Sequence, residues 1–164
     1  MTSRGSLLRP LTADEEAVVR ALARVSLVVP RALEADLVRE QRLTLSEYVA
    51  LMHLSEAPHH LLRMSELAAA CDLSLSGMTR IVARLEGQGL VERVKCAEDA
   101  RGSNAVLTDA GLARLEEAYP THLASVRRHI IDHLAEMDLA ALARALERFA
   151  TTVEGPQAPG GCCP

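Results

Sequence analysis

Residues 73–85, LSLSGMTRIVARL, set two arginines, three hydroxyls and a glycine among apolar side chains, with no aspartate or glutamate. Wound as an α-helix, this stretch puts Met78, Ile81, Val82 and Leu85 on one face. The opposite face carries Ser76, Gly77, Arg80, Ala83 and Arg84, with Thr79 on its flank and Ser74 at its start. Small residues let a helix approach the floor of a DNA groove. Arginine pairs in bidentate fashion with guanine, and Ser or Thr hydroxyls bond bases or phosphates. That is the chemistry of a duplex-reading helix. Alone, the same pattern equally describes a surface helix with two solvated arginines.

The neighbouring elements separate the two readings. A short helix is expected over 64–70, capped by Ser65 or a neighbour, then a tight connection Cys71-Asp72-Leu73-Ser74. Gly87 and Gly89 are expected to end the second helix through positive φ. Residues 90–95, LVERVK, alternate as a strand does; 96–102 form a polar turn and 104–107 a return strand. Short helix, turn, second helix and hairpin in that order describe a winged helix-turn-helix, and the order favours DNA binding more than any one helix does.

On either side lie longer helices. Thr12 and Glu15 have capping-box spacing and open a helix over 12–39, whose stripe of Val18, Leu22, Val25 and Val29 continues past Pro30 to Leu33 and Leu37. Thr44 and Glu47 repeat that spacing before a helix over 45–57. Its Leu45, Tyr48, Val49, Leu51, Met52 and Leu54 leave little polar face, so it should lie buried between layers. Thr108 caps a helix running to about 134 and bent at Pro120. A last helix over 138–153 carries Leu139, Leu142, Leu146 and Phe149, and residues 154–164 read as a disordered tail. The expected fold is mainly α with a small β-hairpin wing.

Composition narrows the class of function. The 164 residues carry a formal charge of -4, so nucleic-acid contact must come from a local basic patch. Tyr48, Tyr119 and Phe149 are too few aromatics for the stacking platforms of single-strand binders. The four cysteines are no disulfide framework in a chain of this length. The first ten residues lack a signal-peptide core, and no apolar run nears the roughly eighteen residues of a membrane span, so a cytoplasmic protein without membrane contact is expected. With no nucleophile elbow and no Gly-rich phosphate loop, an enzyme is not expected.

Residues 62–68 (LRMSELA), 73–86 (LSLSGMTRIVARLE), 89–93 (GLVER), 99–101 (DAR) and 104–111 (NAVLTDAG) together resemble the MarR family of bacterial regulators. The resemblance implies a homodimer with interlocked terminal helices, bound to a palindromic double-stranded operator as a repressor released by ligand. It divides the chain into dimerisation and connecting helices (12–60), a DNA-binding lobe (61–108), C-terminal dimerisation helices (109–153) and the tail. It implies that Asp99 orients Arg101 of the wing toward DNA, while Arg93 and Lys95 sit at wing positions suited to phosphates. Glu98, also in the wing, has no evident role.

The resemblance also implies a small aromatic or phenolic effector, with no other cofactor. His53, the one polar side chain well inside helix 45–57, is the residue to anchor it; a core histidine bonded to backbone is the commoner fate of such a ring. Metal sensing has a weaker pointer: His129 and His133 are four apart, with Asp132 and Glu136 nearby. Thiol sensing would fall to Cys96, whose neighbour Lys95 can lower its pKa, rather than to Cys71 in the core or to Cys162 and Cys163 in the tail. A metal- or thiol-responsive regulator of this fold, or a protein-binding adaptor without DNA affinity, are the alternatives.

Overall fold

The computed structural model describes residues 9–95 and 102–154. Cys96, Glu98, Asp99, Arg101, Cys162, Cys163 and the expected tail from 155 onward lie outside them. Thr12 and Thr44 both close complete capping boxes, opening α1 (Ala13–Gln41) and α2 (Leu45–Glu56). Helix α1 runs through Pro30 and stops at Arg42, which is left-handed at φ 51° with its N–H donated back to Val38. After a turn over Pro58–His60 come β1 (Leu61–Arg63), α3 (Met64–Ala70) and α4 (Leu75–Gly87). Strands β2 (Val91–Lys95) and β3 (Ser103–Leu107) precede α5 (Asp109–His129), a short turn over Ile131–Leu134 and α6 (Leu139–Glu154).

Four local expectations need correction. The wing is not a bare hairpin: β1 adds a third antiparallel strand, in the order β1-β3-β2, with Leu61 opposite Val106 and Val91 opposite Leu107. Three residues are too short to show alternation. The cap of α3 is Arg63, whose N–H donates to the Glu66 carboxylate, not Ser65. Gly87 is the last helical residue of α4, and Gly89 alone takes positive φ, at 73°. Helix α5 passes through Pro120 but ends at His129, because Ile130 leaves helical geometry at φ -130°, ψ -68°.

The core forms around α2, which touches α1, α3, α4, α5 and β3. Tyr48, Leu51 and Leu54 meet Leu37, Leu67, Met78, Val82, Leu85 and Leu107 there. Each fully buried leucine contributes about 1.5–3 kcal/mol of transfer free energy. By contrast, Val18, Leu22 and Val25 of α1 and Leu146 and Phe149 of α6 are exposed on this chain. No helix among the described residues is long and apolar enough to cross a membrane.

Two junctions set the relative positions of these layers. At the first, the wing base is bolted to α5. Thr108 donates its N–H to the Leu90 carbonyl (3.1 Å) and its hydroxyl to the Gly89 carbonyl (2.8 Å), and accepts from the Gly111 N–H (3.0 Å). Gly111 lies so close that a β-carbon there would overlap the Leu90 carbonyl and sit 2.6 Å from Leu107 Cδ1. At the second junction, α1 meets α5 around Asp36. This carboxylate accepts from Ser125 Oγ (2.6 Å), Arg39 (2.7 Å), His129 Nε2 (3.0 Å) and Arg128. The Ser125 hydroxyl does most to hold the Asp36 carboxyl well below the usual carboxylate range. Burial opposes it, and His129, Arg128 and Arg39 reinforce it.

Two outcomes are expected. Gly111→Ala should cost about 3 kcal/mol through overpacking against backbone that cannot move aside, read as a lower denaturant midpoint; an unchanged midpoint contradicts the close approach. Asp36 has a depressed native pKa, so its stabilisation is present above the unfolded value of about 4 and is lost as pH falls below it. Asp36→Asn should therefore lower thermal stability at neutral pH and flatten the acid limb of stability against pH; parallel limbs for both proteins refute this.

Candidate nucleic-acid interface

Helix α4 shows the two faces its sequence describes. Met78, Ile81, Val82 and Leu85 are buried, while Ser76, Thr79, Arg80, Ala83 and Arg84 are exposed. Ser74 is the N-cap: its Oγ accepts from the Gly77 N–H at 3.1 Å and stands 3.1 Å from Ser76 Oγ. One of the expected DNA-contacting hydroxyls thereby also holds the helix start, through its oxygen as acceptor. Thr79 donates its hydroxyl to the Leu75 carbonyl at 2.8 Å, which leaves its oxygen only as an acceptor.

The basic side chains fall into two groups. Arg80 and Lys95 make no hydrogen bond or ion pair among the described residues. Arg84 donates Nε to the buried Glu47 at 2.8 Å, and Arg93 lies 3.5 Å from Glu86. The sequence puts Arg84 on the polar face of α4 but shows no partner for it. Its partner stands 37 residues away on α2, and no local signal announces it. Burial alone would raise the Glu47 carboxyl, but bonds from Arg84 and from the Thr44 backbone and hydroxyl outweigh it and hold it below its ordinary value.

Between the starts of α3 and α4 and the wing lies a cavity of about 290 Å³, lined by Arg63, Ser65, Thr79, Arg93 and Ser103 among others. Arg63 and Ser65 were absent from the expected interface. They enter it because β1 pairs with β3 and carries the start of α3 beside the wing. Two positive groups, Arg63 at the end of β1 and Arg93 of β2, therefore border one groove, in a chain that is acidic as a whole. Such a groove suits the phosphate backbone of a duplex.

The residues singled out for sensing are dispersed. His53 is half-buried on α2, and its ring makes no hydrogen bond among the described residues. The orphaned imidazole nitrogen is instead Nδ1 of His122 on α5, whose ring packs 4.3 Å from that of Tyr48. Burial pushes the His122 pKa down and the Tyr48 pKa up. His129 is turned to Asp36, and His133 lies beyond the break at Ile130, so the two do not share an α-helical face. Among the described residues, no group of three His, Cys, Asp or Glu is placed to hold a metal ion. Cys71 is half-buried, and burial pushes its thiol pKa up, away from reactivity.

Comparison with known proteins places this arrangement. The MarR family profile matches residues 43–102. AbsC, a MarR family transcriptional regulator from Streptomyces coelicolor, is 40% identical; its structure superposes with a TM-score of 0.80 over 90% of this chain and 99% of that one. Sco3205, a MarR family regulator from the same organism crystallised in complex with DNA, is 32% identical with a TM-score of 0.82, over 93% of this chain and 96% of that one. The HTH-type transcriptional repressor YetL of Bacillus subtilis (strain 168) is 30% identical over 63% of this chain, and the match spans 64% of that repressor's length. With close likeness to AbsC and Sco3205 along nearly their whole length, and with the winged helix-turn-helix in place, the chain belongs to the MarR family of transcriptional regulators.

Proposed function

We propose that the protein is a sequence-specific regulator that binds a palindromic double-stranded operator as a homodimer and represses transcription until a small effector releases it. The observation that carries this reading is the outer face of α4. Arg80 stands exposed and unpaired among the described residues beside Ser76 and Thr79, on a helix whose other face is wholly buried. A rigid helix with a short polar face can enter a major groove without reorganising. In this reading Arg80, Ser76 and Thr79 face base edges, with Gly77 allowing close approach. Ser74, Arg84, Arg93, Lys95 and the wing residue Arg101, oriented by Asp99, serve the phosphates. The DNA complex of Sco3205 and the repressor role of YetL support it.

Dimerisation is supported by the exposed apolar side chains of the two terminal helices, Val18, Leu22 and Val25 on α1 and Leu146 and Phe149 on α6. Such a surface costs free energy while it faces water. For the effector, an aromatic acid or phenol is supported by the family likeness. The buried Nδ1 of His122 beside Tyr48, unpartnered among the described residues, offers a polar anchor between α2 and α5, alongside His53.

Selection of bound duplexes from genomic DNA with the purified protein tests the central reading. An enriched palindrome is expected, and enrichment of nothing would favour a protein-binding adaptor. On the selected operator, Arg80→Ala should weaken binding by about 1–3 kcal/mol and relax base preference; unchanged affinity across operator variants removes Arg80 as a base reader. In sedimentation the chain should run as a dimer, and Leu22→Glu combined with Phe149→Glu should yield monomers with weakened operator binding. A wild-type monomer at micromolar concentration would refute the dimer.

A further inference from the structure

The carboxylate of Glu47 is buried at the start of α2, in contact with the recognition helix and 4% exposed. Both its oxygens are engaged. Oε2 accepts the Thr44 N–H at 2.9 Å and completes the capping box, while Oε1 accepts Nε of Arg84 at 2.8 Å. The next backbone N–H, of Leu45, is taken by Glu34 of α1, so the start of α2 is tied down from two sides. Arg84 itself is about half exposed, with a side-chain relative accessibility of 53%. Its two Nη groups have no hydrogen-bond or ion-pair partner among the described residues.

An arginine held only by Nε keeps its planar fork in one plane and leaves its terminal donors for a second acceptor. A solvated arginine must give up rotamer freedom on binding; one already held by a buried carboxylate has given it up on folding. We propose that Glu47 is a positioning residue for DNA recognition: its carboxylate holds Nε of Arg84 and thereby sets the Nη groups of that arginine toward a backbone phosphate of the duplex. This rests on the reading of the chain as a duplex-binding regulator. It assigns to the dimerisation side of the molecule a residue that acts at the DNA surface without touching DNA.

Charge and position make opposite forecasts for Glu47→Gln. Removing a negative charge near a polyanion should, by long-range electrostatics, strengthen binding. Loss of positioning should weaken it. Glutamine has one acceptor oxygen where glutamate has two, so the Thr44 N–H and the Arg84 Nε can no longer both be served.

The test is a double-mutant cycle on the selected operator, with thermal stability followed in parallel. Glu47→Gln should lower operator affinity roughly tenfold in the wild-type background and leave it unchanged in an Arg84→Ala background. Arg84→Lys should likewise remove the dependence on Glu47, because one ammonium cannot occupy both the Nε and the Nη positions of the guanidinium. Equal fractional losses in both backgrounds would show that Glu47 acts through the fold and would overturn the proposal. So would unchanged or tighter binding by Glu47→Gln with Arg84 in place. A wild-type protein that binds no duplex removes the regulator reading itself, which the cycle on a binding protein does not.

Discussion

A twelve-residue helix that is apolar nearly all round has to be covered on every side, and α2 is covered by α1, α3, α4, α5 and β3. This burial joins what would otherwise be a helical pair at the termini and a separate small lobe. Tyr48, Leu51 and Leu54 point into a core to which α4 supplies Met78, Val82 and Leu85. The recognition helix therefore rests on α2, and α2 rests on α1 and α5. Close-packed side chains transmit displacement rather than absorb it. A shift between the terminal helices and α2 is therefore felt at α4.

Burying α2 and packing α1 on α5 bring two carboxylates inward, and both are matched. Glu47 takes Thr44 and Arg84; one helix turn of α1 brings Asp36 against four donors drawn from α1 and α5. Buried carboxylates are tolerated only when their lone pairs are filled by well-placed donors. Such pairs add direction more than net stability. The Asp36 cluster fixes how α5 lies along α1, and the Glu47 pair fixes where one arginine of α4 is held. Among the described residues, two buried side-chain atoms are left without a partner: Nδ1 of His122, beside Tyr48, and Oδ1 of Asn104 on β3.

On the exposed face of α4 and along the wing the same accounting sorts residue types that look alike in sequence. Ser74 and Ser76 are two residues apart, yet one caps the helix while the other lies exposed within its first turn. Arg80 and Arg84 are one turn apart, yet only Arg84 has a buried anion to hold it. A groove lined by Arg63, Thr79 and Arg93 arises only because a three-residue strand joins the wing sheet.

What the sequence by itself determined is what neighbours three and four residues apart determine. The capping boxes at Thr12 and Thr44, the two-faced α4 and the cap at Thr108 all depend on contacts within one or two turns, and each stands where the pattern put it. The family was legible for the same reason, since its motifs lie within those elements. The tertiary structure decided what depends on distant partners: Arg84 on Glu47, Ser125 on Asp36 across 89 residues, and β1 on β3. It also decided where α5 stops, at a residue whose side chain carries no stop signal. A hydrogen bond between distant residues leaves no period in the chain, so its donor and acceptor each look solvated until packing brings them together.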